Sequence, residues 1–337
     1  NAASEQAFTM CFAVDYLERE DHTIEKPRDY AFWRDYVPAL RPAWPGKLLS
    51  WMMSNPRTLA PRELHFDPAA SRRGPATAPL NLWLYRRIAA KENFLPGAFA
   101  SDISLINWPQ NDYWLGRLVD VSEAEYARHV DAGKQLSLSL LYWMQTEAPR
   151  AGGGYGWKGL RLRADVAGTE DGMAMYPYVR EARRLRAEFT VKEQHVGTEA
   201  RRKAVGRAQE LTAEEFPDSV GVGSYRIDLH PTTTGDNYLD VSSLPFQIPL
   251  GALLPRRVEN LLAGAKNLGV THITNGCYRL HPVEWNIGEA AGLTVAQAVR
   301  TGQPPRRIRN EKKMLAELQQ RMVEDGVELT WRRHGPR

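Results

Sequence analysis

The chain has 337 residues and only two cysteines, Cys11 and Cys277. Two thiols so far apart give no disulfide framework, no C-x-x-C pair and no zinc-ligand spacing. Read as free thiols, they favour a reducing, cytoplasmic compartment. No apolar run reaches the roughly 18 residues of a membrane span, so no membrane partner is expected. Charge of one sign is also lacking. The 44 Lys and Arg stand against 40 Asp and Glu, a net charge of +4. That balance falls short of the concentrated basic face that nucleic-acid binding needs. The basic runs, Arg306, Arg307, Arg309, Lys312 and Lys313 and the tail Arg332, Arg333 and Arg337, read as solvated surface. No Ser-His-Asp spacing and no phosphate loop occurs. What is present is ordinary globular composition, 43% hydrophobic and 25% charged, at a length that fits about two domains.

The most informative stretch runs from Glu259 to Arg300. Leu261 to Gly264 is a short apolar run between turn signals, which predicts a buried strand. A polar loop follows from Gly269 to Pro282, carrying Thr271, His272, Thr274, Asn275, Arg279 and His281. An apolar, small-residue helix is then predicted from about Val283 to Arg300, stopped by Gly302 and Pro304. Inside it, Gly288-Glu289-Ala290-Ala291-Gly292 is poor helix filler, because each interior Gly costs roughly 1 kcal/mol against Ala. Such residues make sense where a flat group approaches the backbone closely.

Three features carry a resemblance to a known family: Asn260 to Gly264, then Arg279-Leu280-His281-Pro282, then Gly288 to Gly292. They resemble the C-terminal flavin-binding segment of FAD-dependent oxidoreductases of the glutathione-reductase-like superfamily. Gln6 to Thr9, Trp108 to Tyr113, Leu140 to Glu147 and Tyr178 to Arg184 extend the likeness over most of the chain. The resemblance implies an α/β fold: an α+β substrate-side domain over 1–250, the closing strand–loop–helix of a Rossmann-like FAD-binding domain over 251–304, and a C-terminal helix and tail over 305–337. It implies FAD as cofactor and a small polar organic substrate.

A flavoprotein of this kind needs a strand, G-x-G-x-x-G and a helix to hold the pyrophosphate. Gly152 to Trp157 lacks the spacing and follows Pro149 rather than a strand. Gly221 to Arg226 ends in Arg where Gly is needed. The chain is therefore expected to be a fragment, a truncated gene product or a processed chain. Its partner would be the missing N-terminal segment or a second copy.

The site residues follow from this reading. Gly264, Gly288, Glu289, Ala290, Ala291 and Gly292 are expected to line the cofactor, with free amides at the helix start near its negative charge. Asn267 and Asn275 are candidates for the isoalloxazine edge. His281 and His272 are candidates for proton transfer, since a free His titrates near neutrality. Arg279 is the expected anion partner. On the substrate side stand His230 and the run Tyr178-Val179-Arg180-Glu181-Ala182-Arg183-Arg184, where Tyr178, Arg180 and Arg183 would clamp an anionic group. Two functions compete: part of an oxidoreductase that moves a hydride to flavin, and a non-catalytic remnant that binds a ligand or partner chain.

Secondary structure is predicted as strands at 8–14, 80–89, 188–196, 220–229, 238–241 and 246–250, the last three in one sheet. Helices are predicted at Asp29 to Tyr36, Ser122 to Glu147, Thr198 to Leu211 and Glu311 to Glu324.

Overall fold

The structure is a computed structural model, and it describes residues 3–70, 79–181, 183–206 and 211–331. The basic tail beyond 331 and the end of the Thr198–Leu211 stretch lie outside the described residues. The chain is a mixture of helices and small antiparallel sheets divided into two compact units. One comprises 1–180 with 230–238, the other 181–229 with 239–337.

In the first unit the elements are β1 (Phe8–Thr9), β2 (Phe12–Tyr16), α1 (Tyr30–Asp35), β3 (Met52–Ser54), β4 (Pro61–Glu63), α2 (Leu82–Tyr85), β5 (Arg87–Ala89), β6 (Ile103–Ile106), β7 (Asp112–Tyr113), α3 (Glu123–Thr146), β8 (Leu160–Leu162) and α4 (Ala164–Ala167). Its main sheet has the order β5-β6-β2-β8, and β1 pairs with β7, Thr9 opposite Asp112. Alternating Phe12 and Val14 anchor β2 in the core together with Leu136, Leu140, Leu141 and Met144 of α3. The Ser122 hydroxyl accepts from the Glu125 amide at 3.2 Å, capping α3 as the sequence predicts.

The expected strand over 80–89 is divided. The Asn81 side chain accepts from the Trp83 amide and starts the short helix α2, leaving only Arg87–Ala89 extended. A capping side chain here overrides the alternation of Leu80, Leu82 and Leu84.

The second unit holds α5 (Glu193–Val196), α6 (Thr198–Val205), β9 (Ser219–Gly223), β10 (Ile227–Leu229), β11 (Leu239–Val241), β12 (Phe246–Pro249), α7 (His272–Tyr278), α8 (His281–Thr301), α9 (Pro305–Asn310) and α10 (Lys312–Glu324). β9 pairs with β12 and β10 with β11, so these strands form two ribbons rather than one sheet. Ile248, Phe246 and Val220 pack with Val283, Ile287 and Ala290 of α8 and with Leu318 and Met322 of α10. The stretch 188–196 is not a continuous strand. Within it only Val191 makes a bridge, with Ala187 bridging just before it, and α5 occupies its end.

Two residues beyond the start of the glycines weighed above, Gly154-Tyr155-Gly156-Trp157-Lys158-Gly159 does have the G-x-G-x-x-G spacing. The structure gives it another purpose. It joins α3 to β8, a helix-to-strand order opposite to a phosphate cradle. A Cβ on Gly156, whose φ is +68°, would lie 2.3 Å from the Gln145 carbonyl oxygen. One on Gly159 would lie 2.2 Å from the Leu17 carbonyl oxygen. These glycines make room for the protein's own backbone.

Gly156→Ala should therefore cost roughly 2–4 kcal/mol through overpacking and a left-handed backbone. Gly152→Ala, which meets open space, should stay within about 0.5 kcal/mol of wild type. Chemical denaturation of the two variants checks this; equal stabilities would contradict it.

Candidate functional site

In the first unit, polar groups converge on Asp112, which is fully buried at the start of β7. Its carboxylate accepts from the Thr9 hydroxyl, the Tyr238 hydroxyl and His230 Nδ1, the last at 2.6 Å. Arg180 Nη2 lies 3.0 Å from Oδ1. Arg180, only 2% exposed, also donates to the carbonyl of Ala7, the Thr9 hydroxyl and Asn107 Oδ1 at 2.9–3.1 Å. Its guanidinium carbon sits 4.9 Å from the centre of the Tyr178 ring. Two of the sequence-predicted residues, Arg180 and His230, thus meet on one carboxylate, and a third, Tyr178, packs against the Arg180 guanidinium. Burial alone would raise the Asp112 pKa, but the Arg180 charge and His230 outweigh it and hold the group at about 2.

In the second unit, Glu181 is buried and His272, the first residue of α7, points Nδ1 at both of its carboxylate oxygens, at 2.8 and 2.9 Å. Arg184 pairs with the same carboxylate. Burial raises the Glu181 pKa, yet the hydrogen bond and charge of His272 and the charge of Arg184 bring it below the usual carboxylate range. An ionised carboxylate on Nδ1 places that proton on Nδ1 and leaves Nε2 as the basic nitrogen. The His272 side chain keeps 32% of its surface exposed, so solvent reaches the ring.

The segment expected to be an open loop, 269–282, contains α7. The Thr271 hydroxyl accepts from the Thr274 amide at 3.1 Å, and the Thr274 hydroxyl accepts from the Thr271 amide at 2.9 Å. That reciprocal cap starts a helix despite residues of low propensity. Arg279 closes α7, nearly buried, with Nη2 3.0 Å from both the carbonyl and Oδ2 of Asp228. Asn275 is enclosed and donates to the Lys266 carbonyl at 3.4 Å. His281 is exposed at the first position of α8, and Arg183 is exposed in the chain before it.

Leu261–Gly264 forms no ladder; Ala263 alone donates to the Leu253 carbonyl, at 2.9 Å. α8 begins at His281, two turns ahead of Gly288, so the amides of 288–292 lie within the helix and its positive end lies at His281 and Val283. Ala290 and Ala291 face the core. Gly288, Glu289 and Gly292 lie on the outer side of α8. A Cβ on Gly288 would lie 3.2 Å from the Gly264 carbonyl oxygen, whereas Gly264 and Gly292 face open space. Asn267 is exposed and its carbonyl accepts from the Leu185 amide at 2.8 Å.

Sequence reasoning had no signal for Asp112 or Glu181 as partners, because they meet their histidines across 118 and 91 residues. Both cysteines are buried, and burial pushes Cys11 up to about 11 and Cys277 to about 12, so neither offers a thiolate at neutral pH.

Asp112→Asn should destabilise the protein by roughly 3–5 kcal/mol at pH 7, because Arg180 then stays buried without its counter-ion. The folded-state pKa of Asp112, about 2, lies below its ordinary 3.8. Its contribution is therefore present above about pH 4 and lost as the pH falls toward 2. Denaturation of wild type and variant across that range checks the sign; a difference that grows on acidification would contradict it.

No curated protein and no solved structure matches the chain. A family model described as FAD dependent oxidoreductase matches residues 1–322. That match spans both units and nearly the whole chain, and places the protein in the FAD-dependent oxidoreductase family, flavoproteins whose cofactor is FAD.

Proposed function

We propose that the protein takes part in oxidising a small polar organic substrate, a hydride passing to FAD and a proton passing to His272. The observation that carries the reading is the pairing of Glu181 with His272 Nδ1. In this reading, residues 251–304 belong to the closing part of a Rossmann-like FAD-binding domain.

The residues present fit the cofactor in part. Gly264 and Gly292 leave space that any side chain would fill, and Gly288 lets the chain at Gly264 lie close on α8. These three, with Asn267, are the groups that would meet the flavin. Ala290 and Asn275 are enclosed and support the seat from behind. When bound, FAD supplies the two-electron acceptor.

The protein's own task is then proton handling and orientation. A substrate that loses hydride from a carbon bearing a hydroxyl must also lose the hydroxyl proton as the carbonyl forms. His272 Nε2 accepts that proton, and the ionised Glu181 stabilises the imidazolium that results. Arg184, paired with Glu181, offsets the carboxylate charge while His272 is neutral. Arg279, tied to Asp228, holds the end of α7 against β10.

The purified protein, with FAD added, should show bound oxidised flavin absorbing near roughly 450 nm. His272→Gln should keep that absorption and lower kcat by about 100-fold or more, the scale of general-base catalysis. Unchanged turnover would remove His272 from the mechanism. A protein that stays colourless with FAD would instead support the non-catalytic, partner-binding reading.

A further inference from the structure

The turn between Gly264 and Asn267 is held at several points by its own unit. The Lys266 amide donates to Glu284 Oε1 at 3.0 Å, from the first turn of α8. The Lys266 carbonyl accepts from Asn275 Nδ2, from α7. The Asn267 carbonyl accepts from the Leu185 amide, and the Ala263 amide is held by Leu253. The Gly264 carbonyl lies against α8 at Gly288. One residue, Lys266, thus ties α7 and α8 together through two side chains, Glu284 on its amide and Asn275 on its carbonyl.

The structure assigns Glu284 as a positioning residue that, through the Lys266 amide and with Asn275 on the Lys266 carbonyl, fixes the Gly264–Asn267 turn in the shape that receives the isoalloxazine ring. This rests on the proposed seating of flavin at Gly264, Gly288 and Gly292. A carboxylate in the first turn of a helix ordinarily has a simpler use, compensating the helix dipole. Here its oxygen is spent on a backbone amide outside the helix, and a charge-assisted bond of that kind is stronger than a neutral one. The segment forms no strand ladder. Backbone bonds hold its two ends, at Ala263 and Asn267, and side chains hold Lys266 between them. Asn275 reinforces the point. Its Oδ1 is buried and has no hydrogen-bond partner among the described residues, where its amide is oriented by the single bond to Lys266. Neither residue needs to touch the cofactor to matter. Preorganising the turn lowers the ordering cost of binding.

The test compares Glu284→Ala with Glu284→Gln in the whole chain, with FAD itself as the probe. Two quantities are read: FAD affinity by flavin fluorescence titration, and hydrogen exchange at the Lys266 amide without FAD. Glutamine keeps an acceptor oxygen but loses the charge. The expected result is that Ala weakens FAD binding by about 10-fold or more and speeds exchange at Lys266 by a similar factor. Gln should restore both to within about 3-fold of wild type. Unchanged FAD affinity in the Ala variant would overturn the proposal, as would a Gln variant as weak as Ala, which would point to the helix dipole instead. Wild type that binds no FAD would overturn the flavin seat itself. In that case fast exchange in the Ala variant would still show that the Glu284 bond holds the turn, so the two failures are told apart.

Discussion

A carboxylate removed from water must be surrounded by donors, and this protein meets that requirement twice with consecutive residues of one segment. Arg180 answers the buried Asp112 in the first unit, and Glu181 is answered by His272 and Arg184 in the second. The cost of leaving such a charge unpaired is several kcal/mol. The Asp112 network therefore fixes β1 against β7 and the 230–238 stretch beside them, through Thr9, His230 and Tyr238. The Glu181 network fixes the start of α7. Each does a second thing: it sets which nitrogen of a histidine carries its proton.

Function follows from what each network leaves over. Arg180 spends its Nη atoms on Ala7, Thr9, Asn107 and Asp112, so its part here is counter-ion to a buried carboxylate. His272 is different. It keeps part of its ring in solvent, at the head of a helix in the unit that also carries Gly264, Gly288 and Gly292. In the proposed mechanism this oriented imidazole moves the proton while a flat cofactor moves the electrons.

Much of this was legible in the sequence where local signals were strong. Ser122 with Glu125 marked the start of α3, Gly302 and Pro304 marked the end of α8, and the spacing of Leu315, Leu318 and Met322 marked α10. The misses have physical reasons. α7 contains Thr, Asn and Gly, which disfavour helices, and it forms through a reciprocal threonine cap and the burial of Thr274 to Arg279. Leu261–Gly264 has the composition of a strand and is held instead by one backbone bond at Ala263, with a side-chain clamp following at Lys266. The Gly154–Gly159 match has the right spacing in the wrong structural order, and Gly156 and Gly159 accommodate carbonyl oxygens. The carboxylate partners of His230 and His272 are set by tertiary contacts that no spacing rule reaches.

In the proposed mechanism Glu181 fixes the proton of His272 on Nδ1 and leaves Nε2 to accept one. Long-range nitrogen–proton correlation NMR on protein labelled with 15N-histidine, recorded at mildly alkaline pH, reads this directly. Neutral His272 is expected to carry its proton on Nδ1, and Glu181→Gln, whose amide can donate to the ring, to shift the population toward Nε2–H. A neutral His272 already protonated on Nε2 in the wild type would contradict it.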